Sequence, residues 1–216
     1  MRIYRLPAAT RAILFDIDGT LYTNAEYGRR QIDVLIEELA RVRGQDIDQT
    51  RADVEKARAT IAGRDGVQTS LGNAMAALGV DLPTSVAWRE RLIDPAAFLS
   101  PDARLRAALG SFVEAGIRLV AVTNNPKSVG LASIRALGVD RLFSAVVGLD
   151  DTLRSKPARE PYELAARRAE APPETCLSVG DRYDVDLAVP LDLGMGAVLV
   201  DGVEDVYALP EILSKA

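Results

Sequence analysis

The chain has 216 residues, with 26 lysines and arginines against 31 aspartates and glutamates, a net charge of −5, no histidine and one cysteine, Cys176. These counts exclude Ser-His-Asp hydrolysis, histidine metal sites and proton shuttles, an internal disulfide and a cysteine-rich zinc site. Mild acidity also argues against nucleic acid as the main partner, because phosphate-backbone binding needs a basic face. The chemistry that remains is run by carboxylates, hydroxyls, amines, guanidinium groups, or a metal held by oxygen.

Residues 1–10 carry no long apolar run ahead of a small-residue cleavage site. No stretch reaches the roughly 18 to 20 apolar residues of a membrane span, so a cytoplasmic protein without a membrane partner is expected. Ala12 to Phe15 is a short apolar run that ends in Asp-Ile-Asp-Gly-Thr, the pattern of a buried strand feeding a loop. The texture then changes. Ile32, Leu35, Ile36, Leu39 and Val42 recur at helical spacing, and Gly44 breaks the run. Asp46 or Asp48 caps a second helix to Ile61, a short helix follows near Leu71 to Leu78, and Pro83 opens another that ends near Leu92. None of this stretch reads as a strand, so residues 23–99 are expected to form an all-helical insertion and residues 1–22 with 100–216 the core.

Beyond Pro101 strand and helix alternate. Helices are expected over 102–115 and 127–137, after the loop Ser155-Lys156-Pro157 to about 169, and in a further helix that reaches about 193. Strands are expected over 117–122, 143–147, 175–179 and 197–200. That alternation predicts an α/β fold, a doubly wound parallel sheet covered on both faces. In such sheets ligands sit beyond the carboxyl ends of the strands. Asp16, Asp18, Gly19 and Thr20 follow the first strand, Thr123 and Asn124 the second, Lys156 lies in a loop beyond the third, and Gly180, Asp181, Asp184 and Asp186 follow the fourth. Crowded carboxylates repel one another, and a hard divalent cation such as magnesium neutralises them.

The stretch Phe15-Asp16-Ile17-Asp18-Gly19-Thr20-Leu21 resembles the first motif of the haloacid dehalogenase superfamily. Val122-Thr123-Asn124 resembles its second, Lys156-Pro157 with Tyr162 its third, and Gly180-Asp181 with Asp186 its fourth, in the family's order. The resemblance implies a Rossmannoid core of strand order 3-2-1-4-5, with the helical segment as a cap, on the phosphatase branch. It further implies that Asp16 attacks phosphorus to form an aspartyl-phosphate, while Asp18 acts as general acid and then base. Mg2+ would be held by Asp16, the Asp18 carbonyl and Asp181, with Asp186 supporting it and Asp184 as the rival for that place. Gly19, Thr123, Asn124 and Lys156 would bind the substrate, Lys156 also balancing the acids. The sequence departs from the family's frequent Lys-Pro-x-Pro at Arg159.

The implied activity is that of a magnesium-dependent phosphomonoesterase acting on a small phosphorylated metabolite. A sugar phosphomutase has the same core residues and stays open, and a non-catalytic phosphate-binding domain is the reading from a different class. Asp18 speaks against a dehalogenase. A phosphonatase needs a cap lysine, and Lys56, the single lysine of the inserted segment, sits in a charge-rich helix. Specificity is expected in the inserted segment, where Arg29, Arg30, Arg64, Asp65 and Gln68 are polar and near turns. Phosphoglycolate, a sugar phosphate or a nucleoside monophosphate all fit. Trp88 and Cys176 read as structural, Cys176 having no histidine to activate it.

Overall fold

Ala12–Phe15 is apolar at every position because it is buried on both faces, and it becomes a central strand, β2, of a six-stranded sheet. The structure is a computed structural model and describes residues 1–65 and 70–214. The other strands are β1 (Arg2–Arg5), β3 (Arg118–Val122), β4 (Phe143–Val147), β5 (Cys176–Gly180) and β6 (Gly196–Leu199), in the order β1-β6-β5-β2-β3-β4. The pairs from β6 through β4 are all parallel. Counted from β2, the parallel strands stand in the order 3-2-1-4-5 that the family resemblance implied.

By contact the chain divides into two units, residues 1–24 with 95–216 and residues 25–94. The second unit holds four helices, α1 (Ala25–Arg43), α2 (Ile47–Asp65), α3 (Leu71–Ala77) and α4 (Leu82–Leu92). The boundary falls before residue 99 because Pro95–Ala97 already forms a 3-10 turn belonging to the first unit. Asp46 Oδ1 accepts from the Asp48 and Gln49 N–H groups at 2.9 and 3.1 Å and so caps α2. Asp81 does the same for α4, whose Pro sits in the first turn. Val34, Leu35, Ile36, Leu39, Val54 and Trp88 are buried, and Lys56 is exposed.

The first unit carries α5 (Ala103–Glu114), α6 (Lys127–Ala136), α7 (Leu149–Thr152), α8 (Arg159–Arg168), α9 (Ala188–Asp192) and α10 (Val203–Ser214). Helix α8 packs on β2, β3 and β4 through Tyr162, Ala165 and Ala166, which meet Leu14, Val120, Val122 and Val147 in one cluster. Its alanines allow the close approach. Cys176 lies in the same cluster, where burial pushes its thiol up to about 11, the state of an inert structural cysteine. The segment after Gly-Asp-Arg is not one helix: Tyr183–Leu187 forms a wide π-type turn before α9 begins.

Strand β1, the short helix α7 and helix α10 have no counterpart in the sequence reading. Strand β1 runs antiparallel to β6 and is largely exposed, so its Arg-Ile-Tyr-Arg shows no buried run. It is held by the Arg5 guanidinium, which donates to the Leu191 and Met195 carbonyls, and by stacking of Tyr4 on Tyr183 at 4.9 Å. Helix α10 contains Pro210, a residue that argues against a helix interior. It forms because Val206 and Leu209 are buried, Arg104 forks onto Glu204 at 3.0 and 2.9 Å, and Thr23 Oγ1 accepts from the Val203 N–H at 3.1 Å.

Among the described residues of the helical unit Glu38 is the buried acid, bonded by Arg41 of its own helix at 2.7 Å and by Arg91 of α4 at 2.5 Å. The Arg41 hydrogen bond, acting against burial and joined by that from Arg91, pulls Glu38 from 4.5 down to about 2. The folded-state value lies below the unfolded one. The stabilisation is therefore complete above pH 4.5 and is lost as pH falls through about 2. Both arginines are more than half exposed, at 68% and 56%, so solvent screening discounts the gain. Glu38→Gln should lower the unfolding free energy at pH 7 by about 1 kcal/mol in denaturant titrations, and the difference from the parent should vanish near pH 2.

Candidate active site

The carboxyl ends of four parallel strands meet here. The Asp16 N–H donates to the Val179 carbonyl at 2.9 Å, which carries the β2–β5 ladder one residue beyond Phe15. The Thr123 N–H donates to Val147 at 3.0 Å and extends β3 in the same way. Asp16 and Thr123, 5% and 3% exposed, thus take their places from the sheet itself. After Asp16 the chain turns through Gly19, whose φ of +85° favours glycine, and a Cβ there would stand 2.6 Å from Asp181 Oδ2. Gly19 therefore lets the first motif lie against Asp181. Gly180 does the equivalent for Asp186, since a Cβ on it would lie 2.4 Å from the Asp186 Cβ.

Lys156, 1% exposed, joins the motifs. Its Nζ lies 2.5 Å from Asp16 Oδ1 and 2.7 Å from Asp186 Oδ1. Its backbone is clasped by the Asn124 amide, which accepts from the Lys156 N–H at 2.7 Å and donates to the Lys156 carbonyl at 3.2 Å. The Asn124 side chain is thereby committed to holding the lysine loop, a different task from the phosphate contact expected of it. Asp186 sits on the wide turn, where its Oδ2 accepts from the Arg182 N–H at 3.1 Å and its carbonyl from Ser178 Oγ at 2.8 Å. Tyr162 of the third motif donates to the Val185 carbonyl at 2.6 Å and fixes the same turn from α8.

Asp16, Asp181 and Asp186 offer carboxylate oxygens that all lie within 4.8 Å of one another. Asp184 is exposed on the outer side of the turn. The Asp181 Oδ1 atom is buried and has no hydrogen-bond partner, and the nearest cation, Arg182 Nε, stands 3.6 Å away. A buried carboxylate oxygen left without a donor in a set of hard oxygen atoms fits a divalent cation of the magnesium type. Burial pushes Asp16 up to about 7, against the Lys156 charge and with the help of Asp186, Asp18 and Asp181. Burial would lower Lys156, but the Asp16 and Asp186 carboxylates outweigh it and raise the ammonium above an ordinary lysine. Lys156 is thus a fixed cation facing three acids, and the deficit of positive charge is itself a reason for a metal there.

Although its charge bears on Asp16, Asp18 is not one of the three clustered carboxylates. Its Oδ1 accepts from the Tyr22 hydroxyl and its Oδ2 from Asn125 Nδ2 at 3.1 Å, with Thr123 Oγ1 at 3.5 Å. Thr20 Oγ1 lies 3.3 Å from Asp16 Oδ2. Tyr22 and Asn125 are the site residues that the sequence did not single out, although each lies beside a motif that it did. Of the residues proposed for specificity, Arg29 is exposed on α1 and Arg30 pairs with Glu37 at 2.7 Å. Arg64 and Asp65 end α2, while their side chains and Gln68 lie outside the described residues.

Lys156→Met should leave Asp16 and Asp186 buried without their cation. In metal-free buffer at pH 7 it should cost about 3–5 kcal/mol of unfolding free energy in urea titrations. Adding Asp186→Asn should recover part of that loss.

Residues 10–193 match the family of haloacid dehalogenase-like hydrolases. A phosphoglycolate phosphatase of Salmonella choleraesuis is 30% identical, the match covering 82% of this chain and 77% of that protein. The fold resembles the crystal structure of a phosphatase of the same superfamily from Thermococcus onnurineus, with a TM-score of 0.67, 24% identity and coverage of 94% and 98% of the two chains. It also resembles a β-phosphoglucomutase from Clostridium difficile, with a TM-score of 0.57, 14% identity and coverage of 94% and 99%. A family match over most of the chain, a relative 30% identical over 82% of it, and four motifs converging on one sheet edge agree: the chain belongs to the haloacid dehalogenase-like hydrolases, on their phosphatase branch.

Proposed function

We propose that the chain is a magnesium-dependent phosphomonoesterase that acts on a small phosphorylated metabolite through an aspartyl-phosphate on Asp16. The observation that carries this reading is the contrast between two carboxylates two positions apart. Asp16 is buried in a cluster with Lys156, while Asp18 is bonded to neutral donors outside it. This contrast supports Asp16 as the nucleophile and Asp18 as the group that carries the proton.

In the first step an Asp16 carboxylate oxygen bonds to phosphorus, the bond from phosphorus to the ester oxygen breaks, and Asp18 gives its proton to that oxygen. In the second, Asp18 takes a proton from water as the water oxygen attacks phosphorus. The Asp16–phosphorus bond then breaks and inorganic phosphate leaves. Lys156 and the Thr123 hydroxyl would hold the phosphoryl oxygens, and the Asn124 side chain bonds the Lys156 backbone at its N–H and its carbonyl. A bound magnesium, held by Asp16, Asp181 and the Asp18 carbonyl with Asp186 behind them, would offset the repulsion between an anionic nucleophile and an anionic substrate.

The similarity to phosphoglycolate phosphatases makes phosphoglycolate the first substrate to test. The likeness to the mutase is one of fold alone, and fold does not carry activity. We assign the helical unit, residues 25–94, the part of a cap that selects the substrate. Among the described residues no helix is long and apolar enough to cross a membrane, and a phosphorylated metabolite as substrate fits a cytoplasmic location.

The purified protein should release phosphate from phosphoglycolate and from 4-nitrophenyl phosphate with magnesium present, and a chelator should stop it. Asp16→Asn should lower kcat by at least about 10³-fold with the melting temperature essentially kept. Full turnover in that variant or in chelated buffer would overturn the mechanism.

A further inference from the structure

Asp18 is held at both carboxylate oxygens by residues outside the four motifs' expected site residues. Tyr22, 5% exposed, lies four positions further along the same loop and turns back so that its hydroxyl donates to Asp18 Oδ1. The backbone supports this, since Asp18 and Tyr22 form an isolated parallel bridge. Asn125 reaches Asp18 Oδ2 from the end of β3 at 3.1 Å. It is itself fixed, because its N–H donates to Thr123 Oγ1 at 3.0 Å and its carbonyl accepts from the Leu149 N–H at 2.9 Å. Rotation of the Asp18 carboxylate about its last torsion breaks a hydrogen bond at each end.

A proton-transferring group must lie within hydrogen-bond reach of the atom it serves, and small misplacements are costly. We propose that Tyr22 and Asn125 are positioning residues that together orient the Asp18 carboxylate toward the ester oxygen of the substrate. The proposal rests on the phosphatase reading above and adds two residues to it. A purely structural role is the competing explanation, since the Tyr22 ring is buried. The two separate on chemistry. A packing role affects every substrate alike, whereas a role in orienting the acid affects most the substrate whose leaving group needs the proton most.

The test compares kcat/KM, which reports the step that releases the alcohol, on two esters of similar shape. Phenyl phosphate has the more basic leaving group, and 4-nitrophenyl phosphate leaves readily without a proton. With magnesium at pH 7, Tyr22→Phe keeps the ring and removes the hydroxyl, and Asn125→Ala keeps the backbone bond to Thr123. Each should lose about tenfold on phenyl phosphate and less than about threefold on 4-nitrophenyl phosphate. Equal losses on both esters, or no loss on either, would overturn the proposal. Tyr22→Phe decides the matter if Asn125→Ala does not fold, as judged by circular dichroism and thermal melting. A wild type inactive on both esters overturns the phosphatase reading and this proposal with it. A wild type that is active while Tyr22→Phe shows no split overturns the proposal alone.

Discussion

The ammonium group of Lys156 lies between Asp16 and Asp186 in a region closed to solvent, and the geometry of the site depends on that placement. A buried charge is tolerated only when it is paired and its hydrogen bonds are met, and here two carboxylates meet them. The same ammonium joins the end of β2 to the turn after β5, which come from distant parts of the chain. The lysine backbone is in turn gripped by Asn124 at the end of β3. One cation thus ties three strand ends together, and the site and this edge of the sheet are stabilised by the same contacts.

That arrangement leaves a charge problem which the protein alone does not solve. Lys156 neutralises one of the three clustered acids, and Asp181 keeps a buried oxygen with no donor. A site balanced without a metal would have no reason to bind one. A net negative cluster of hard oxygens, held open by glycines at 19 and 180, favours a small divalent cation and then an anionic substrate. The chain's overall charge of −5 is therefore a poor guide to the sign of its ligand.

Much of this was legible in the sequence, for physical reasons that vary by element. Parallel strands inside the sheet are buried on both faces, so Ala12–Phe15, Arg118–Val122 after its first residue and most of Cys176–Gly180 stand out as apolar runs, and the polar residues that follow them fall at the sheet edge. Strand β1 is an exposed edge strand with no such run, and α10 carries Pro210, so neither shows in a pattern of hydrophobicity. Motif spacing left Asp184 and Asp186 competing. The wide turn over Tyr183–Leu187 separates them by burying Asp186 and exposing Asp184, and a turn of that width leaves no mark in periodicity. Tyr22 and Asn125 were missed because a tyrosine beside a loop and an asparagine before a proline both read as ordinary turn chemistry.

Asp16 and Asp18 are the same residue type, separated by one isoleucine, and their surroundings differ. Asp16 continues a central strand, so it faces the acids and the lysine gathered at the sheet edge. Asp18 lies one turn further on, where Tyr22, Asn125 and Thr123 offer uncharged donors. A carboxylate among charges is set by the balance of those charges, while one among neutral donors is set by orientation. Histidine usually supplies proton transfer near neutral pH, and this chain has none. A second aspartate can take that place only if it is kept out of the cluster that holds the first. Asp16 and Ile17 are both buried as the chain leaves β2, and Asp18 is the first half-buried position of the loop that follows.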